Sequence, residues 1–174
     1  MATFGNTGSQ STVSGPLAGL IFAVKYTTPA DCTSISKLTV KLSNTRTGHG
    51  ACNVKALIYA ADGSDGRPST RVAVGDAIAV ADSFADWKDL TFGANSLSPS
   101  TDYWWGLVGD SNADGLGAMC DATGGTDYVG TCDYTSPPSP LGGTQYEFST
   151  TKMSIYMTYT PTAGGNPHYY YAQQ

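Results

Sequence analysis

The side chains able to do chemistry in this 174-residue chain are few and scattered. Its fourteen carboxylates include a single glutamate, Glu147, and the aspartates fall mostly in turn-forming stretches, where Asp bonds its own backbone. There is no Gly-x-Ser-x-Gly elbow. A nucleophile–base pair would have to recruit His49, from a Gly-flanked loop, or His168, close to the C-terminus. A glycosidase pair of carboxylates is defined in space, so spacing alone does not speak to it. The expectation is a protein that is not an enzyme.

Three other kinds of chemistry have candidates. Asp110-Ser111-Asn112-Ala113-Asp114-Gly115, with Asp121 at the twelfth position, matches the alternating oxygen ligands and turn glycine of a calcium loop. An Asp/Asn/Gly hairpin turn would read the same way, so possible calcium at Asp110, Asn112, Asp114 and Asp121 stands beside a plain turn. Of the four cysteines, none forms a CxxC pair or lies at zinc-ligand spacing from a histidine. Cys120 and Cys132 flank a stretch of turn residues and are expected to face each other across a hairpin as a disulfide, in an oxidising medium. Cys32 and Cys52 are either core thiols or bridges to other chains. Trp87, Tyr103 and Trp104 are candidates for a flat platform on which sugar rings stack, the competing reading being that such residues fill a core. His168, Tyr169, Tyr170 and Tyr171 are candidates for subunit interaction, because tyrosine gives large contact area with few rotatable bonds to freeze.

These residues need strands to position them. Thr101–Gly109 alternates with both faces apolar, Tyr103, Trp105 and Leu107 against Trp104 and Val108, and predicts a central strand with something packed on each side or with one aromatic face kept for a partner. Leu17–Thr28, Ser34–Leu42, Asn53–Ala60, Ala85–Phe92 and Thr151–Thr160 alternate as well, the last with Met153, Ile155, Met157 and Tyr159 inward. Ile35 falls out of phase with Leu38, Val40 and Leu42 unless a bulge intervenes. Arg71–Ala81 is weak and reads as an edge segment, and Pro137-Pro138-Ser139-Pro140 forbids regular pairing. No amphipathic helix can be drawn. The pattern predicts an all-β sandwich of roughly eight to ten antiparallel strands over 17–160, an N-terminal arm or edge strand over 1–16, and a Tyr-rich tail over 161–174.

Charged residues are 13%, about half the roughly 25% usual in soluble domains, and the net charge of −5 is spread over the loops. Nothing resembles a basic footprint for nucleic acid, and no apolar stretch reaches the length of a membrane span. Met1–Asn6 lacks the basic start and apolar run of a signal peptide. The chain is expected to stay in the cytoplasm, to leave it by lysis or a dedicated route, or to have lost a leader.

The order of Lys55–Tyr59, the Asp/Gly/Pro turn after it, the Trp87 strand, Leu97-Ser98-Pro99 and the Tyr103-Trp104-Trp105 strand resembles jelly-roll domains similar to carbohydrate-binding modules. Such domains occur in bacteriophage virion proteins and bacterial surface proteins. The resemblance covers roughly residues 18–160 and implies a jelly roll, to which the stretches 1–16 and 161–174 would add extended arms. The function expected first is a structural virion protein, a decoration or appendage subunit binding sister subunits or other virion proteins, as a homo-oligomer on a particle. The second is an extracellular carbohydrate-binding or adhesin module with a glycan partner.

Overall fold

The computed structural model describes residues 1–8, 12–45, 50–121, 124–141, 145–148 and 152–162. Its strands are, in chain order, β1 (Ala2–Asn6), β2 (Thr12–Ser14), β3 (Leu20–Thr27), β4 (Cys32–Asn44), β5 (Cys52–Ala60), β6 (Arg71–Val74) and β7 (Ile78–Val80). There follow β8 (Ala85–Ser96), β9 (Asp102–Gly109), β10 (Leu116–Asp121), β11 (Asp127–Thr131), β12 (Gln145–Phe148), β13 (Lys152–Met153) and β14 (Ile155–Pro161). Helical backbone among the described residues is confined to two 3-10 turns, Ser64–Gly66 and Ala113–Gly115. The protein is an all-β sandwich of two antiparallel sheets.

One sheet is built on β4. Its register with β8 runs from Ser34–Ser96 to Ser43–Ala85, which occupies one edge of β4. The other edge is shared in succession by β14, opposite Cys32–Val40, and β10, opposite Leu42–Asn44. Outside these lie β1 on β14 and β2 on β10, while β13 pairs with the end of β10. The register slips between Ile35 and Lys37, as the phase of the apolar residues predicts, and the bulge lets Ile35 be buried with Leu38, Val40 and Leu42. The second sheet has the order β12-β11-β3-β9-β5, with β6 and β7 following each other along the outer edge of β5. Sharing of long edges by short strands gives fourteen described strands where eight to ten were expected.

Each strand of the β9 sheet turns alternate side chains to opposite sides. Tyr103, Trp105 and Leu107 join Val24, Val54 and Ile58 against Leu38, Val40, Leu90, Ile155 and Met157 of the β4 sheet, forming the inter-sheet core. Trp104 and Val108 join Ile21, Leu57, Tyr59 and Tyr128 in a separate cluster on the outer side. A side chain at Gly106 would meet Ile21 Cδ1 at 2.6 Å, so with any larger residue there Ile21 would have to shift within this outer layer. The layer is roofed by the segment 132–141. Tyr59 donates to the Pro138 carbonyl (2.8 Å), Lys55 Nζ to the Tyr134 carbonyl (3.1 Å), and the Leu141 N–H to the Ser69 carbonyl (3.0 Å). The prolines remove N–H donors, so this segment caps the sheet without extending it.

Candidate functional site

The three residues predicted as a sugar platform go to three places. Tyr103 is buried between the sheets, its hydroxyl accepting from the Ser98 N–H (3.1 Å). Trp104 is buried under the roof, donating Nε1 to the Gly66 carbonyl (2.9 Å), with Tyr128 5.8 Å away edge-on. Consecutive strand residues cannot share a face, and Tyr103 and Trp104 are consecutive. Only Trp87 reaches an open surface. It lies half-buried on the outer face of the β4 sheet, 5.4 Å from the ring of Tyr156 at 57°. Tyr156 was not among the sequence candidates, although its outward phase follows from the inward phase of Ile155 and Met157.

Around this aromatic pair the face is polar. Lys41 stands opposite Trp87, and Thr39 stands opposite both Asp89 and Tyr156. Thr39 donates to Asp89 Oδ1 (2.7 Å) and Lys37 Nζ lies 2.8 Å from Asp89 Oδ2. Partial burial pushes the Asp89 carboxyl up, but the bonds from Lys37 and Thr39 outweigh it and hold the group below the ordinary carboxylate range.

The loop after β9 is a tether. Asp110 Oδ2 accepts from the Asn53 N–H (3.0 Å) and from Asn53 Nδ2 (2.8 Å), while Oδ1 accepts from the Asn112 N–H (3.0 Å). Oδ2 thus fastens the loop to the start of β5, while Oδ1 closes the turn within the loop. Asp121, expected at the twelfth ligand position, stands at the far end of β10, on the order of 17 Å of extended chain from the loop. The spacing fitted a loop that doubles back, whereas the chain after Gly115 leaves as a strand. Among the described residues no group of three His, Cys, Asp or Glu side chains gathers where a metal ion would sit.

The Cys120–Cys132 disulfide expected from the turn-rich stretch between them is corrected by the structure. All four thiols are unpaired and buried. Cys120 belongs to the inter-sheet core through β10, and Cys132 lies under the roof on the far side of the β9 sheet. The intervening stretch carries the chain from one sheet to the other instead of folding a hairpin. Burial pushes the Cys32 and Cys132 thiols up to about 11, with Asp31 and Asp133 adding to it, and raises Cys52 and Cys120 as well.

At one end of the sandwich an open cleft of about 430 Å³ is bordered by Phe4, Tyr26, Pro29 and Ala30. Its aromatic walls rest on Trp105, with Phe4 edge-on at 4.7 Å and Tyr26 stacked at 4.4 Å. Burial, offset in part by a backbone hydrogen bond at Asn6, pushes the Tyr26 hydroxyl up to about 12. The last strand ends beside this cleft, where the Thr162 N–H donates to the Asp31 carbonyl (2.8 Å) and Tyr159 donates to Asp31 Oδ1 (3.0 Å). His49, His168 and Tyr169–Tyr171 lie outside the described residues.

No helix among the described residues is long and apolar enough to cross a membrane. No protein-family model matches the chain, and no curated protein matches it.

Proposed function

We propose that the chain is a structural subunit of a bacteriophage particle, a jelly-roll decoration or appendage protein that holds neighbouring subunits through its terminal arms and catalyses no reaction. The observation that carries this reading is where the sheet ends. β14 is paired on both edges, by β1 and β4, and is pinned at its end by Thr162 on Asp31. The twelve residues 163–174, with three consecutive tyrosines and no charged side chain, follow that end in sequence. Apolar and aromatic surface that a fold does not need is the material of interfaces. The N-terminal arm supports the reading in part only, since β1 is committed to its own sheet.

A chain ending at Thr162 tests the proposal. It is expected to keep a single cooperative unfolding transition and to lose co-sedimentation with particles or sister subunits. Unchanged binding by the shortened chain would sink the reading.

The Trp87–Tyr156 pair favours a second reading, a glycan-binding module. Two part-exposed rings beside the Asp89 carboxylate and the Lys37 ammonium offer a pyranose both stacking and hydrogen bonds. Titration with a panel of oligosaccharides, following the indole fluorescence of wild type and Trp87→Ala, separates the two.

A further inference from the structure

The cleft of Phe4, Tyr26, Pro29 and Ala30 and the point where the chain leaves the sandwich are neighbours. Thr162 is bonded to Asp31, and Asp31 follows Ala30 in sequence, so the exit stands at the cleft wall. The cleft is lined by aromatic and small side chains with hydroxyls from Thr27 and Ser100, and it contains no charged residue. Residues 163–174 match it in kind, having no charged side chain and three tyrosines. Aromatic walls already braced against Trp105 favour a further ring edge-on or offset.

We propose that this cleft is the docking site of the chain's own C-terminal segment, with a tyrosine of the Tyr169–Tyr171 run laid against Phe4 and Tyr26. Reach is ample. Six residues separate Thr162 from Tyr169, and seven steps of extended chain span roughly 23 Å, whereas the cleft begins beside the anchor. Tethering decides between this occupant and the tail of a second copy. A short flexible link gives an effective concentration on the order of millimolar, which a separate subunit matches only at millimolar protein. A contact too weak to hold two molecules together therefore suffices within one. The inference goes beyond the assembly reading and concerns the isolated subunit, whatever that subunit later binds.

Amide spectra of the full chain, of a chain ending at Thr162, and of the triple variant Y169S/Y170S/Y171S test it, all at micromolar concentration. The signals of Gly5, Thr27, Thr28, Ala30 and Ser100 are expected to differ between the full and shortened chains. In the triple variant they should coincide with the shortened one, while signals of β5 and β8 stay in place and show that the fold is intact. A synthetic peptide of residues 163–174, added to the shortened chain, should move the same signals and saturate only at millimolar peptide. Coincident spectra for full and shortened chains would overturn the proposal. So would sedimentation of the full chain as a dimer that the shortened chain does not form, which would make the tail an arm exchanged between copies. Ala30→Arg, placing a charge in the cleft, should abolish the tail-dependent shifts. Particle binding by that variant is read separately, so a failed assembly reading and a failed docking site give different results.

Discussion

The two sheets of this sandwich present outer faces of opposite kinds. The β9 sheet turns Ile21, Leu57, Tyr59, Trp104 and Tyr128 outward and hides them beneath 132–141. The β4 sheet turns Lys37, Thr39, Lys41, Asp89, Trp87 and Tyr156 outward and carries no such cover among the described residues. The two indoles make the contrast sharp. That of Trp104 is buried with its N–H bonded to Gly66, while that of Trp87 is half in solvent beside one tyrosine. A strand apolar on both sides compels the rest of the chain to supply a second layer, whereas an amphipathic strand leaves its face for solvent or a partner.

The contrast predicts unequal costs for equal truncations. Trp104→Ala should lower stability by about 3–5 kcal/mol, since it empties a packed layer and strands the Gly66 carbonyl. Trp87→Ala should cost less than about 1 kcal/mol. Denaturant midpoints of both variants, at unchanged slope, measure this, and equal losses would break the distinction between the faces. The roof can then be loosened alone. Tyr59→Phe removes the hydroxyl bonded to Pro138 and should cost about 1 kcal/mol. Its more telling effect should be on the thiols. Cys132 should become alkylatable under native conditions while Cys120, in the inter-sheet core, stays protected until global unfolding. Simultaneous labelling of both would mean that the roof opens only with the whole domain.

The smallest effect belongs to the open face. Asp89 has a folded pKa held below its unfolded value, so its bonds to Lys37 and Thr39 stabilise the protein above the unfolded carboxyl pKa of about 3.9. That contribution is lost as pH falls through the lower, folded value. The pair is half-exposed, so its worth is about a few tenths of a kcal/mol, and Asp89→Asn should remove that part of the acid dependence. A larger flattening would mean that Asp89 is coupled to more than its two partners.

Much of this was legible in the residues. Alternation located β3, β4, β5, β8, β9 and β14, it told which side chains of β4 and β14 lie inward, and the phase error at Ile35 foretold the bulge. Alternation names a face, however, and says nothing of the partner strand. Thus β4 and β5 invite pairing as a hairpin, yet they lie in different sheets, and Cys120 and Cys132 look adjacent although β10 and β11 do as well. The roof is illegible in the sequence for a related reason. Pro137–Pro140 announces that it cannot join a ladder, but its role is visible only once β9 is known to need cover on its second side. The platform failed on the simplest geometry, for the aromatic density that drew attention to Tyr103-Trp104-Trp105 is what packs both layers.

The pairing of β1 with β14 also sets a timetable. Residues 2–6 are synthesised before every other described strand, and their partners at 155–159 are among the last described residues to follow. β3 likewise waits for β9 and β11, and β4 for β8, β10 and β14. The β4 sheet therefore cannot be completed until residues 155–159 have been made, and β1 remains without its partner strand until then. In that interval Ala2–Asn6 is the stretch most open to pairing with the wrong neighbour, and crowded translation of many copies would put it at greatest risk.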